Sequence, residues 1–151
     1  PPSANVTLKA VGVVGAGIGC QVQTAHGVLD AGLHPGAGGD GTAVCPGEVL
    51  LLALAGCAGV TLSVVATALG VEIRHGEVRV EGEMDFRGTL GVSKEIPVGF
   101  HHLRVRFELD TDATEEQLAT LVRLAERYCV VQQTLVQPPV IEMTRRSALS
   151  P

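Results

Sequence analysis

Twenty-one consecutive residues, Val49 to Leu69, carry no charge, and any fold this chain adopts has to account for them. At about 1.5 Å of rise per residue, a helix of that length would be long enough to cross a bilayer. Two features point instead to the centre of a folded domain. The run is diluted by Ala53, Ala55, Gly56, Gly59, Thr61, Ser63 and Thr67, and no basic residue adjoins either end to set an orientation in a membrane. A helix that is apolar all round is also what a buried core helix looks like. The expectation is a core helix and no membrane.

The ends of this helix can be read from the sequence. Pro46 suits a first helical turn, and Glu48 in that turn complements the helix dipole. Gly70 is placed to close the helix in a left-handed conformation. Upstream, Val6, Leu8 and Ala10 alternate with polar residues, which predicts a strand over 5–11. Gly15, Gly17 and Gly19 form a turn, and Cys20–Thr24 reads as the second strand of a hairpin. Residues 31–47 hold six glycines and two prolines and read as a loop.

Downstream, Val71 and Ile73 begin a strand, and Val78, Val80, Gly82, Met84 and Phe86 alternate with charged residues. Residues 87–99 connect to a second alternating run, Leu103, Val105, Phe107 and Leu109, and the two long strands are expected to pair antiparallel. Asp112 or Thr114 caps a second helix, with Glu115 or Gln117 as the capping-box partner. Its apolar stripe is Leu118, Leu121, Val122, Ala125 and Tyr128. After Pro138-Pro139, Val140, Ile141 and Met143 suggest an edge strand. The order of elements is that of a single α+β domain over residues 1–151 with a mainly antiparallel sheet.

Composition excludes several functions. Apolar residues make up 46% and charged residues 18%, which is not the balance of a disordered chain. The net charge of −5, the absence of Trp and an aromatic content of 3% argue against nucleic-acid binding. Only Lys9 among the eleven Lys and Arg residues precedes Arg74. The four cysteines, Cys20, Cys45, Cys57 and Cys129, show no C-x-x-C pair and no zinc spacing. Residues 1–30 show no secretory pattern, so reduced thiols and a cytoplasmic location are expected. His101 and His102 are adjacent on a strand and should point to opposite faces, a poor arrangement for chelation. No metal and no other cofactor is expected.

Two stretches, read together, resemble a known family. One runs Pro46-Gly47-Glu48-Val49-Leu50-Leu51-Leu52-Ala53-Leu54-Ala55-Gly56-Cys57, and the other Tyr128-Cys129-Val130-Val131-Gln132-Gln133-Thr134-Leu135. A Pro-x-Glu start to a small-residue helix that contains a cysteine is similar to the OsmC/Ohr family of thiol peroxidases. The second cysteine, after a capped amphipathic helix and before Thr-Leu, fits the same family, and the order of elements agrees over roughly residues 4–144.

The resemblance implies an intertwined homodimer, with antiparallel sheets around two long central helices and active sites at the subunit interface. It implies that Cys57 attacks an organic hydroperoxide and that Cys129 resolves the product as a disulfide, which an external dithiol then reduces. The chemistry is self-consistent, because a thiolate attacks, a sulfenic acid forms, and a neighbouring thiol condenses with it.

The chain departs from the family pattern in two ways. The peroxidases place a Glu directly after the Pro, to act with an Arg near the reactive thiol; here Gly47 holds that place and Glu48 follows. Nine positions, about 13.5 Å along a straight helix, then separate Glu48 from Cys57, so Glu48 would act from a bent helix entry or across a dimer. Its other reading is a carboxylate serving the helix dipole. The family's arginine comes from the segment before the helix, which contains none here. Arg74 and Arg127 are substitutes to weigh, and His26 and His34 are the basic-capable groups upstream, each more simply a loop or strand-edge histidine. Three functions therefore stand: a thiol-dependent peroxidase, a non-catalytic OsmC-like protein that binds a small apolar ligand at the dimer interface, and a structural subunit. Cys45, just before the helix, is an outside candidate for a reactive thiol.

Overall fold

A computed structural model describes residues 4–136; the edge strand expected at Val140, Ile141 and Met143 lies outside the described residues. The uncharged run is a helix, α1, spanning Pro46–Leu69. Gly70 ends it at φ 68°, its N–H bonded to the Ala66 and Thr67 carbonyls, a left-handed cap open to glycine because it has no Cβ. Both limits are those the sequence implies. Leu54, Ala58, Leu62, Val65 and Ala66 recur at helical spacing and form its buried stripe.

That stripe packs on the hairpin of β4 (His75–Glu83) and β5 (His101–Asp110), and on the helices α3 (Glu115–Tyr128) and α4 (Val130–Thr134). A single-turn helix, α2 (Phe86–Thr89), lies in the connection between β4 and β5. Two apolar clusters result. One joins Leu62, Val65, Ala66 and Val71 to Leu121 and Ala125 of α3. The other joins Leu54 and Ala58 to Cys129, with Cys57, Val78, Val80, Val105, Phe107 and Val131 packed around them.

The strands differ from expectation in ways that hydrogen bonding explains. The first strand, β1, is Val11–Val14 and not residues 5–11. It pairs with β2 (Cys20–Thr24), whose other edge is taken by β3 (Gly27–Ala31); Val11 already faces Gln23, so the alternating stretch before it runs past the end of β2. β3 is an element the sequence pattern did not show. A tight turn makes it, in which Thr24 Oγ1 donates to the Gly27 carbonyl at 2.7 Å and accepts from the His26 N–H at 3.1 Å.

Val71 does not begin a strand, because its N–H bonds to the Ala66 carbonyl in the cap of α1. Phe86 leaves the strand pattern because Asp85 caps α2, accepting from the Arg87 N–H. In α3, Thr114 forms a capping box with Gln117, and Leu121 and Ala125 are buried, whereas Val122 and Tyr128 of the expected stripe are exposed.

β4 and β5 pair antiparallel from His75↔Asp110 to Glu81↔Arg104, and then the register shifts to Glu83↔His101. The shift inserts one extra residue into β5. Beside it His102 adopts φ 54°, the one positive φ outside glycine among the described residues. The expectation of opposed histidines is overturned here: the His101 and His102 rings meet edge-on with centroids 5.2 Å apart. A bulge breaks the strict alternation on which that expectation rested.

Much apolar surface has no cover among the described residues. On the side of α1 away from its buried stripe, Leu52, Val60 and Val64 are 63–67% exposed. The β1–β2–β3 sheet contributes no residue to either core cluster.

Candidate active site

Cys57 sits midway along α1, at the border of its buried stripe. Cys129 is placed by α3. Leu121, Ala125 and Cys129 follow one another at four-residue spacing, so all three fall on the face turned to α1, and each is 1% exposed. Cys129 adopts φ −72° and ψ 109°, an extended conformation that ends α3 and starts α4 at the next residue. This brings the two cysteines, 72 positions apart in the sequence, into one packed cluster as free thiols.

The first turn of any helix has backbone N–H groups with no partner inside the helix. In α4 these are turned to the cysteines. The Val131 N–H is the largest influence on Cys57 and lowers its pKa; burial opposes it, and the Cys129 thiol, the Val130 N–H and the Thr61 hydroxyl add to the lowering. Thr61 lies one helical turn beyond Cys57 on α1. For Cys129 burial is the largest cause and pushes the thiol up, only partly offset by the Gln132 N–H, while its neighbour Cys57 raises it further. The environment thus drives the two thiols apart, with Cys57 toward thiolate and Cys129 toward thiol. Such a split is how one site assigns two roles to chemically identical groups.

No charged group is among the causes of the Cys57 shift. Arg74 is held elsewhere, by Asp110 at 2.7 Å and Asp112 at 2.8 Å. Arg127 lies over the Tyr128 ring at 5.6 Å. His34 Nδ1 accepts from the Gly36 N–H at 2.9 Å and its ring stacks on Phe86, while His26 is exposed in the β2–β3 turn, so both are loop histidines.

Glu48 is not brought to the cysteines. α1 runs unbroken from Pro46, and Glu48 lines a separate open cavity of about 750 Å³ with His34, Cys45, Met84, Phe86, Phe100 and His101. Cys45 is the residue before α1 and makes no side-chain cap bond. A second cavity of about 390 Å³, largely apolar, lies between α1, β5, α3 and α4. It shares Leu54 and Ala58 with the Cys129 cluster, although neither sulfur lines it.

Sequence reasoning missed Thr61 and the α4 amides. Thr61 was discoverable from its four-residue spacing to Cys57. The Val130 and Val131 donors were not, because a backbone N–H leaves no mark on residue identity.

The family model described as OsmC-like protein matches residues 39–144. No curated protein matches significantly. Among solved structures, an OsmC-like protein from Mycoplasma pneumoniae superposes with a TM-score of 0.71 at 17% identity, over 87% of this chain and 89% of that one. An organic hydroperoxide resistance protein OsmC from Legionella pneumophila gives 0.62 at 18% identity, over 87% and 91%. An organic hydroperoxide resistance protein from Elizabethkingia anophelis gives 0.63 at 16% identity, over 86% and 89%. At these identities the likeness to solved structures is one of fold.

Proposed function

The chain belongs to the OsmC-like protein family, and from that premise we propose that it is a thiol-dependent peroxidase of organic hydroperoxides, with Cys57 as the attacking residue and Cys129 as the resolving one. The observation that carries this reading is the adjacency of the two thiols with opposite shifts in ionisation.

The Cys57 thiolate attacks the terminal oxygen of R–O–O–H. The O–O bond breaks, Cys57 becomes the sulfenic acid, and the alkoxide takes a proton to leave as the alcohol. Cys129 then forms an S–S bond to Cys57, and the sulfenic oxygen leaves as water with the thiol proton. An external dithiol attacks the disulfide, restores both thiols and is itself oxidised to a disulfide. The α4 amides and Thr61 take the part that a guanidinium would play, favouring the thiolate without a cation. Reduced thiols suit a cytoplasmic setting.

The reading includes a homodimer. The uncovered face of α1 is apolar, as is much of the β1–β3 sheet, and a second copy presents the same surfaces in a two-fold arrangement. Glu48 would reach a cysteine pair only across that interface.

Purified reduced protein should consume an alkyl hydroperoxide in the presence of a dithiol, and Cys57→Ser should abolish this. Undiminished turnover by Cys57→Ser would overturn the reading. Mass spectrometry after one equivalent of peroxide should find a Cys57–Cys129 bridge; its absence removes Cys129 from the mechanism.

One observation favours a second reading, a non-catalytic protein that binds a small apolar ligand: no charged group among the described residues contributes to the Cys57 shift, while an apolar cavity lies close by. A measured Cys57 pKa at or above the free value of about 8.5 would decide for it.

A further inference from the structure

The bulge in β5 creates a second cluster, apart from the Cys57–Cys129 pair. Glu83 ends β4, and His101 and His102 open β5 across from it. One donor atom from each of the three lies within 4.8 Å of the others. In a regular strand consecutive side chains diverge to opposite faces. Here the extra residue and the left-handed backbone of His102 (φ 54°) bring both imidazoles to Glu83.

A second observation bears on the same place. His101 Nδ1 is buried and has no hydrogen-bond partner, alone in this among side-chain nitrogens and oxygens of the described residues. Buried polar atoms are ordinarily paired, because leaving one unpaired costs its full desolvation.

We propose that Glu83, His101 and His102 form a binding site for a divalent first-row transition-metal ion. Two imidazole nitrogens and one carboxylate oxygen are a donor set that suits zinc and its neighbours and ill suits calcium or magnesium, which take oxygen ligands. A tetrahedral ion with bonds of about 2.1 Å sets its donors roughly 3.4 Å apart, so modest side-chain rotation closes the cluster. Arg104 contacts Glu83 Oε1 at 3.4 Å, a long contact that leaves the other carboxylate oxygen to coordinate. Glu83 and His102 are exposed, so the ion would enter from solvent and keep at least one position for water. Bound there, it would pin the β4–β5 end beside the cavity that holds Glu48.

The test is titration of Co²⁺ into the reduced 151-residue chain, with Zn²⁺ as competitor. The expected result is one saturable Co²⁺ per chain, with visible d–d bands and no sulfur-to-cobalt charge-transfer band. His102→Gly keeps the left-handed backbone and removes the imidazole, and should weaken binding at least about ten-fold; Glu83→Gln should weaken it too. Cys57→Ser should leave the binding unchanged, which keeps this site independent of the proposed peroxidase. A sulfur charge-transfer band, binding indifferent to His102→Gly and Glu83→Gln, or no saturable binding would each overturn the proposal.

Discussion

Cys57 shows how the thiolate of a cysteine can be favoured inside an apolar cluster. Burial alone would raise its pKa, yet four hydrogen-bond donors around it reverse the sign. A depressed pKa means that the thiolate is populated at lower pH than for a free cysteine. Alkylation of Cys57 followed against pH is therefore expected to have its midpoint below the free value of about 8.5. Thr61→Val should move that midpoint upward, since it removes a donor and keeps the side-chain shape. An unchanged profile would show that the hydroxyl contributes nothing. Cys129, held up by burial, should alkylate more slowly than Cys57 across the same range.

At the level of elements, the site depends on where α3 stops. The capping box of Thr114 and Gln117 fixes the start of α3, and its buried stripe carries Cys129 to the end of the helix. Thr114→Ala should cost about 1 kcal/mol, read as a fall in Tm of roughly 3 °C. The same variant should speed amide exchange in α3, and a Tm equal to that of the unsubstituted chain would mean that packing alone holds α3 in place. α4 supplies two amides to Cys57, although it spans only Val130–Thr134. Its effect comes from the chain's abrupt turn at Cys129, which aims its first N–H groups at the thiol before any carbonyl of the helix can claim them.

At the level of the whole molecule, α1 is apolar on all sides, while the described residues bury only one of them. Leu52, Val60 and Val64 are expected to pack on a second copy. Sedimentation should then give twice the mass of one chain, and Val60→Glu should shift the protein to monomer by burying an unpaired carboxylate. A monomer at all concentrations for the unsubstituted chain would contradict the intertwined arrangement. Loss of peroxidase activity together with dimerisation would fit a catalytic part for Glu48 acting across the interface.

The sequence by itself determined the limits of α1 and the antiparallel pairing of β4 with β5, and it narrowed the cap of α3 to Asp112 or Thr114, of which the fold uses Thr114. Each is written in residues a few positions apart: Pro46 and Gly70, Thr114 and Gln117, and two runs of alternating apolar residues. Resemblance to a family singled out Cys57 and Cys129, but no local pattern joins residues 72 positions apart. Tertiary structure alone decided their contact, the α4 amides that polarise Cys57, and the meeting of His101 with His102. The physical reason is that periodicity and capping act within a turn or two of chain. Backbone donors, register shifts and long-range packing carry no residue code, and they are settled only when the elements come together.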